Sequence, residues 1–163
     1  MQTYQVGLIA LAIAAIGIYV SYMAWRRQAK NQERILSKPV AFYGPADIPG
    51  FKCFYIATTF LGAPLSRVKA FTLGTRGQAI VYTSSEGIVF DRKGELSFMI
   101  PTSDFMAIET SNAVIGKAVE AEGLFSVSWR LGDSELQTHF RIVSQADRAR
   151  FVESIGLLGG SLK

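Results

Sequence analysis

The sequence predicts a single N-terminal transmembrane helix followed by a mainly-β domain, a bent sandwich or barrel of about seven antiparallel strands capped by a C-terminal α-helix. Three observations predict this fold class: an uncharged N-terminal run, short alternating segments separated by turn residues, and a capped amphipathic segment near the end of the chain. They divide the chain into an anchor at residues 1–25, a basic stalk at 26–40 and a domain at 41–163.

The anchor is defined by residues 6–25, which are 20 uncharged and mostly apolar side chains. A helix of that length reaches about 30 Å, the thickness of a hydrocarbon core. A cleaved signal peptide is the alternative, but it would carry its cations before a shorter apolar run and a cleavage site after it. Here the cations come afterwards, so the sequence predicts an uncleaved anchor.

The cations after the anchor also predict its orientation, because Lys and Arg are enriched on the cytoplasmic side of membrane spans. We therefore expect a single-pass protein of the cell (inner) membrane with its N-terminus outside and its domain in the cytoplasm. The expected membrane-surface residues, which could attract anionic lipids or serve only as the topology signal, are Trp25, Arg26, Arg27, Lys30 and Arg34.

One face of the anchor carries small residues at alternating spacings of three and four. Such a face lets another helix approach closely, which substitutes for the hydrophobic drive that lipid removes. The partner helix would belong to a second copy of this chain or to a larger membrane protein. The alternative is that the pattern arises by chance in an alanine-rich anchor. The face consists of Gly7, Ala10, Ala14, Gly17, Ser21 and Ala24.

Charge is concentrated beside the membrane. Residues 26–38 carry a net charge of +4, while residues 39–163 hold 12 basic and 12 acidic side chains. The sequence pI of about 9.3 therefore describes the stalk, and the neutral domain argues against nucleic acid as a partner. With one cysteine and one histidine, we expect neither an internal disulfide nor a zinc site, and no cofactor.

Alternation of apolar and polar residues predicts the strands, with glycine at turns such as that of Gly94. Within the sixth, Phe125, Val127 and Trp129 alternate with serines. The predicted strands are 52–59, 78–83, 87–91, 95–100, 105–110, 124–131 and 135–143. A helix then starts at Ser144, which has an acid three residues later as in a capping box, and Gly159 and Gly160 should end it. Its apolar stripe, predicted to cover an open edge of the sheet, is Phe151, Val152, Ile155 and Leu158.

Seven strands followed by a capping helix resemble a pleckstrin-homology-like (PH-like) domain. The segments 54–59, 65–68, 73–77, 128–133 and 138–141 resemble, more narrowly, bacterial single-span membrane proteins with a cytoplasmic PH-like domain. This resemblance covers nearly the whole chain, anchor included, and such proteins are often labelled as transporters or exporters. PH-like folds bind lipids, peptides and proteins alike, so the resemblance does not choose among these ligands.

Catalysis is not expected, because nothing in the pattern supplies a nucleophile with a positioned base and an orienting group. A partner or anion patch is a candidate instead, consisting of Arg67, Arg76, Arg130, His139 and Arg141. If Leu131 pairs with Leu136, the last three face outward from the final hairpin. A solvated sheet face balanced by local acids is the alternative.

The sequence thus predicts a membrane-anchored binding or scaffold module that recruits or stabilises a protein partner. An accessory subunit of a transport or export complex, contacting it through the anchor, is the alternative. Binding of anionic lipid headgroups by the domain is a further one.

Overall fold

The computed structural model describes residues 3–42, 48–110 and 123–157. Helix α1 occupies Thr3–Ile35 and is, in this part of the chain, the one helix long and apolar enough to cross a membrane by length and composition. None of its apolar stretch is buried against the domain, unlike the core helix of a soluble protein. Helix α1 runs without interruption through the predicted boundary between anchor and stalk, and ends four residues before Pro39.

Within the described residues, nine antiparallel strands form one sheet that folds over a single core. They are β1 (Val40–Ala41), β2 (Gly50–Phe60), β3 (Ala63–Arg67), β4 (Gly77–Ser84), β5 (Gly87–Arg92), β6 (Phe98–Pro101), β7 (Phe105–Thr110), β8 (Leu124–Leu131) and β9 (Ser134–Ile142). The order across the sheet is β1-β6-β5-β4-β2-β9-β8-β7, with β3 paired to β2 beside β4. All seven predicted strands are present, and the long strand β2 joins the two halves of the sheet through β4 and β9.

Strands β1 and β3 are absent from the sequence prediction for physical reasons. Strand β1 has two residues, too few for a period. Strand β3 contains Pro64, and all five of its residues are exposed, so it lacks the alternation that indicates a half-buried strand. The predicted strand at 95–100 is also shorter than expected, since β6 begins at Phe98.

Aromatic rings fill the core where the halves of the sheet face each other. Phe90 lies edge-on to Phe140 with ring centroids 5.1 Å apart and stacks on Phe98 at 5.4 Å. The indole of Trp129 also stacks on Phe98, with centroids 5.8 Å apart. Each such buried aromatic stabilises the fold by roughly 1.5–3 kcal/mol.

Helix α2 (Gln145–Leu157) closes the sheet as predicted. The backbone N–H of Asp147 donates to Ser144 Oγ at 3.3 Å, so Ser144 is the N-cap. Phe151 and Ile155 are fully buried, and the Phe151 ring lies edge-on to Phe140 at 5.5 Å. The predicted stripe residue Leu158 and the predicted helix end at residues 159–160 lie outside the described residues.

Candidate functional site

The residues expected at the membrane surface lie on α1 and all are exposed: Trp25, Arg26, Arg27, Lys30 and Arg34. The Trp25 ring stacks beside Tyr22, with centroids 6.4 Å apart. These positions leave the cations available to headgroups if the apolar stretch spans a bilayer. The helix then carries the chain directly towards the domain.

The small-residue face of the anchor is uncovered within the described chain. Gly7, Ala10, Ala14, Gly17, Ser21 and Ala24 are all exposed. A Cβ added at Gly7 or Gly17 would meet nothing within 4 Å. The face is therefore open to another helix, although openness alone identifies no partner.

The polar end of α1 packs against the domain. The side-chain oxygen of Gln32 accepts the backbone N–H groups of Lys69 at 2.6 Å and Ala70 at 3.2 Å. One turn earlier, Gln28 Oε1 accepts from the ammonium of Lys69. Leu36, which follows the helix, is 5% exposed and belongs to the core. The stalk is thus docked on the domain by hydrogen bonds and by an apolar contact.

The segment that receives Gln32 is a 3₁₀ turn at Ala70–Thr72 with an unusual backbone. Phe71 and Thr72 have φ of 52° and 56°, a left-handed conformation that non-glycine residues rarely adopt and that costs of order 1–3 kcal/mol each. Surrounding contacts must therefore stabilise this turn. Gln32 supplies two of them from the stalk side.

Arg92 supplies further contacts from the domain side. Its Nη2 donates to the carbonyl oxygens of Thr72 and Thr75, each at 2.9 Å. Arg92 is 4% exposed, and its guanidinium lies 4.3 Å from the ring centroid of Tyr55. Burial lowers the pKa of Arg92, while the Tyr55 phenol and Glu95 oppose that shift. A buried cation thus bonds two backbone carbonyls beside the stalk contact.

Tyr55 extends this network through the core. Its hydroxyl donates to the carbonyl of Leu73 at 2.8 Å and bonds Thr58 Oγ1 at 2.6 Å. Thr58 Oγ1 in turn bonds Thr138 Oγ1 at 2.8 Å, which accepts from Trp129 Nε1 at 2.9 Å. Burial raises the pKa of Tyr55 to about 12, so the phenol stays protonated. These buried hydroxyls and the indole N–H are therefore satisfied by one another and by the Leu73 carbonyl.

The sequence prediction missed this network. It ended the third strand at Asp91, whereas β5 includes Arg92 on the same inward face as Phe90. Extending the alternation by one residue would have placed Arg92 inside, but a cation beside a turn glycine is usually exposed.

The predicted register of the last hairpin is wrong by two residues. The structure pairs Leu131 with Ser134 and Arg130 with Glu135, in place of the expected pairing of Leu131 with Leu136. The turn is tighter than expected, because Gly132 adopts φ of 59° and permits a short loop. A shift of two residues keeps every side chain on its predicted face, so the inward set is unchanged.

His139 is not solvated, contrary to the predicted outward patch. It is 4% exposed, and its Nδ1 lies 2.8 Å from Ser126 Oγ while its Nε2 lies 3.2 Å from Thr59 Oγ1. Burial lowers the pKa of His139 to about 4, so the ring is neutral near pH 7. Ser126 and Ser128 are buried as well, so this part of the outer face is covered.

The four arginines of the predicted patch are separated. Arg67 and Arg76 are exposed on either side of the 3₁₀ turn. Arg130 forms a 3.6 Å ion pair with Glu135, in agreement with balance by a local acid. Arg141 is partly buried and pairs with Leu124, six residues along β8 from Arg130 or about 20 Å. The structure therefore does not unite the five predicted residues in one surface.

Cys53 and His139 are not arranged as a nucleophile and base. Cys53 lies in the core, opposite Ile142, whereas His139 lies opposite Ala57 further along β2. Burial raises the pKa of the Cys53 thiol to about 12. Within residues 3–42, 48–110 and 123–157, no group of three metal-ligating side chains is placed to hold a metal ion.

A groove of about 910 Å³, here called the sheet groove, crosses the outside of the domain. It is lined by Lys52, Cys53, Phe54, Gln78, Ala79, Ile80, Asp91, Lys93, Val143, Ser144 and Asp147. Phe54 and Val143 are 42% and 71% exposed, so apolar surface meets solvent there. None of these residues was predicted from the sequence to form a site, because a lone outward Phe on a strand gives no distinctive signal.

The nine-stranded antiparallel sheet with its C-terminal helix is the architecture of a PH-like domain, a fold that typically binds partners without catalysing a reaction. The chain belongs to the family described as Bacterial PH domain-like, which matches residues 32–156. The match begins at Gln32, the stalk residue that bonds the 3₁₀ turn. No curated protein matches the chain.

Proposed function

We propose that this protein is a single-pass, membrane-anchored PH-like binding module that recruits or stabilises a protein partner at the cytoplasmic face of the inner membrane. The observation that carries the proposal is the direct docking of the stalk on the domain, through Gln32 of α1 and through Leu36, which follows the helix. Because Gln32 lies seven residues beyond Trp25, the docked turn would sit about 10 Å from the membrane boundary. A domain held in this way presents a fixed surface at high local concentration, so weak contacts suffice for recruitment.

The test is co-purification in a mild detergent, followed by identification of what accompanies the full chain. A partner of the domain should be recovered equally well from wild type and from a variant with leucine at Ala14 and Gly17. Leucine at Ala12 and Ala15, which lie off the small-residue face, is the matched control. Recovery of no specific partner from any of these chains would contradict recruitment.

Orientation has a separate test. A green fluorescent protein fused after Lys163 should be fluorescent, and alkaline phosphatase fused there should be inactive, because the proposal places this end in the cytoplasm. The opposite pattern would reverse the proposed topology.

The second candidate is an accessory subunit of a transport or export complex that binds through the anchor. The uncovered small-residue face favours it, since Gly7 and Gly17 have open space beside them. In that case leucine at Ala14 and Gly17 should abolish recovery of the partner, while leucine at Ala12 and Ala15 should not.

The third candidate is headgroup binding beside the stalk. Arg67 and Arg76 are exposed near the 3₁₀ turn, and Lys69 contacts Gln28 of the stalk. In nanodiscs, anionic lipid should then slow amide hydrogen exchange in residues 67–76 relative to zwitterionic lipid. Glutamine at Arg67 and Arg76 should remove the slowing of exchange by anionic lipid. If the slowing is unchanged in that variant, the stalk cations alone bind the headgroups.

A further inference from the structure

The sheet groove is built from neighbouring rows of outward side chains. Lys52 pairs with Ile80, which pairs with Asp91, across β2, β4 and β5. In the next row Phe54 pairs with Gln78, whose carbonyl accepts the N–H of Lys93. The first turn of α2 forms one wall through Ser144 and Asp147. The floor is therefore apolar at Phe54 and Ile80, with polar groups around it.

The charged side chains at the rim of the groove differ in whether another residue already contacts them. Asp91 Oδ1 accepts the hydroxyl of Ser97 at 2.8 Å, and Asp147 forms an ion pair with Arg150. Lys52 and Lys93 have no ion pair within the part of the chain that the structure describes. Arg150 compensates Asp147, whereas Asp91 keeps its charge because the Ser97 hydroxyl is neutral. The two lysines outnumber this one uncompensated acid, so the groove has a small excess of positive charge and favours a ligand with negative charge.

The spacing of the two lysines indicates what kind of ligand fits. Lys52 is on β2 and Lys93 follows β5, two strands away and one row further along, so their backbones are about 12 Å apart. Two separate carboxylates could reach them, one on each side of an apolar side chain placed over Phe54 and Ile80. Gln78 and Ser144 offer an amide and a hydroxyl to the main chain of such a segment.

We propose that the sheet groove binds a short acidic segment of a protein partner, in which two acidic residues flank an aromatic or aliphatic anchor. This inference rests on the proposed recruitment function and names its contact surface. The apolar anchor would supply most of the affinity and the lysine pair the selectivity.

The test uses the full chain in nanodiscs of zwitterionic lipid and fluorescein-labelled peptides. One set carries Asp, then Phe or Leu, then Glu at every second position of a Gly/Ser peptide, so that the three side chains share one face when the peptide is extended. A second set has Lys in place of the acids, and a third has Ala in place of the anchor. Only the first set should raise the anisotropy at low peptide concentration. Lys52→Gln with Lys93→Gln should weaken that binding at least about fivefold.

The matched control is Lys38→Gln with Arg130→Gln, which removes the same charge from exposed positions outside the groove and should leave the affinity unchanged. Equal binding of acidic and basic peptides, equal weakening in the control, or no binding would overturn the proposal. So would preferential binding of a single-chain alkyl phosphate, because that result would assign the groove to a lipid.

Co-purification separates this inference from the proposed function. If Lys52→Gln with Lys93→Gln still recovers the partner of the wild-type chain, the groove is not the contact surface and recruitment stands. If the wild-type chain recovers no partner, recruitment itself fails, whatever the peptides do. Loss of the partner in this variant and its retention in the control pair would support both.

Discussion

Arg92 and Arg130 are the same residue type on one sheet, in opposite settings. Arg92 is 4% exposed at the end of β5, where it bonds the carbonyls of Thr72 and Thr75. Arg130 has a side chain 58% exposed in the last hairpin, where it pairs with Glu135 at 3.6 Å. The sequence singled out the exposed arginine as a candidate and did not single out Arg92, yet the buried arginine shapes the turn on which α1 docks. Burial, more than residue type, should decide which polar groups matter for stability.

The largest expected effect follows from removing the buried arginine. Arg92→Met leaves the carbonyls of Thr72 and Thr75 without these donors, and the positive φ of Phe71 and Thr72 loses its support. We expect the free energy of unfolding to fall by about 3 kcal/mol. Arg92→Lys should lose less, because an ammonium can still reach one carbonyl. Thermal unfolding of the full chain in detergent, followed by near-UV circular dichroism, measures both. A loss under about 0.5 kcal/mol in Arg92→Met would break the contrast with Arg130.

The next effect is a pH dependence from His139. Its pKa is about 4 in the folded chain against an ordinary value of 6.5, so between these pH values the unfolded chain binds more protons. Stability should therefore be unaffected by this group above about pH 6.5 and fall as the pH drops towards 4, by up to about 3 kcal/mol.

His139→Gln should flatten that dependence while keeping polar contacts to Ser126 and Thr59. The measurement is the difference in unfolding free energy between pH 7 and pH 5 for wild type and variant. An equally steep loss in His139→Gln would show that other groups titrate in this range and that His139 is not held neutral by burial.

Sequence patterns predicted the sheet well where one face is buried and one is not. The alternation around Trp129 gave β8 its bounds, and Ser144 marked the start of α2 correctly. The alternation pattern assumes that the outer face of a strand is exposed, and it fails where that face is buried. It assigns His139 to the outer face but cannot tell that this face is covered, since coverage depends on residues distant in sequence.

The docking of α1 could not be predicted for a related reason. Gln32 is one polar residue among several in a basic stalk, and its partner Lys69 lies 37 residues further along the chain. The residues with positive φ in the strained turn are Phe71 and Thr72. Neither is a glycine, so the sequence does not indicate this backbone conformation. The candidate site was less predictable from the sequence than the fold. The sheet groove is formed by side chains of β2, β4 and β5, none of which has a distinctive sequence pattern of its own.

Gln32 is less buried than Arg92 and more buried than Arg130. Its substitution should therefore change the free energy of unfolding by an intermediate amount. Gln32→Ala removes the acceptor of the Lys69 and Ala70 backbone N–H groups. We expect a loss of about 1–2 kcal/mol and faster hydrogen exchange at those two amides. Asn31→Ala, at an exposed neighbouring position of α1, is the control and should change neither. Unchanged exchange at Lys69 and Ala70 in Gln32→Ala would mean that the stalk does not stabilise the turn.

Arg130→Ala is expected to have the smallest effect. Its pair with Glu135 is solvent-exposed on both sides, with side chains 58% and 47% accessible, so Coulomb attraction is weakened by water and partly offset by side-chain entropy. We expect a change in unfolding free energy below about 0.5 kcal/mol, shrinking further in high salt. A double-mutant cycle with Glu135→Ala isolates the pair. A coupling above about 1 kcal/mol that persists in high salt would contradict the ranking by burial, because an exposed pair in water has no source for it.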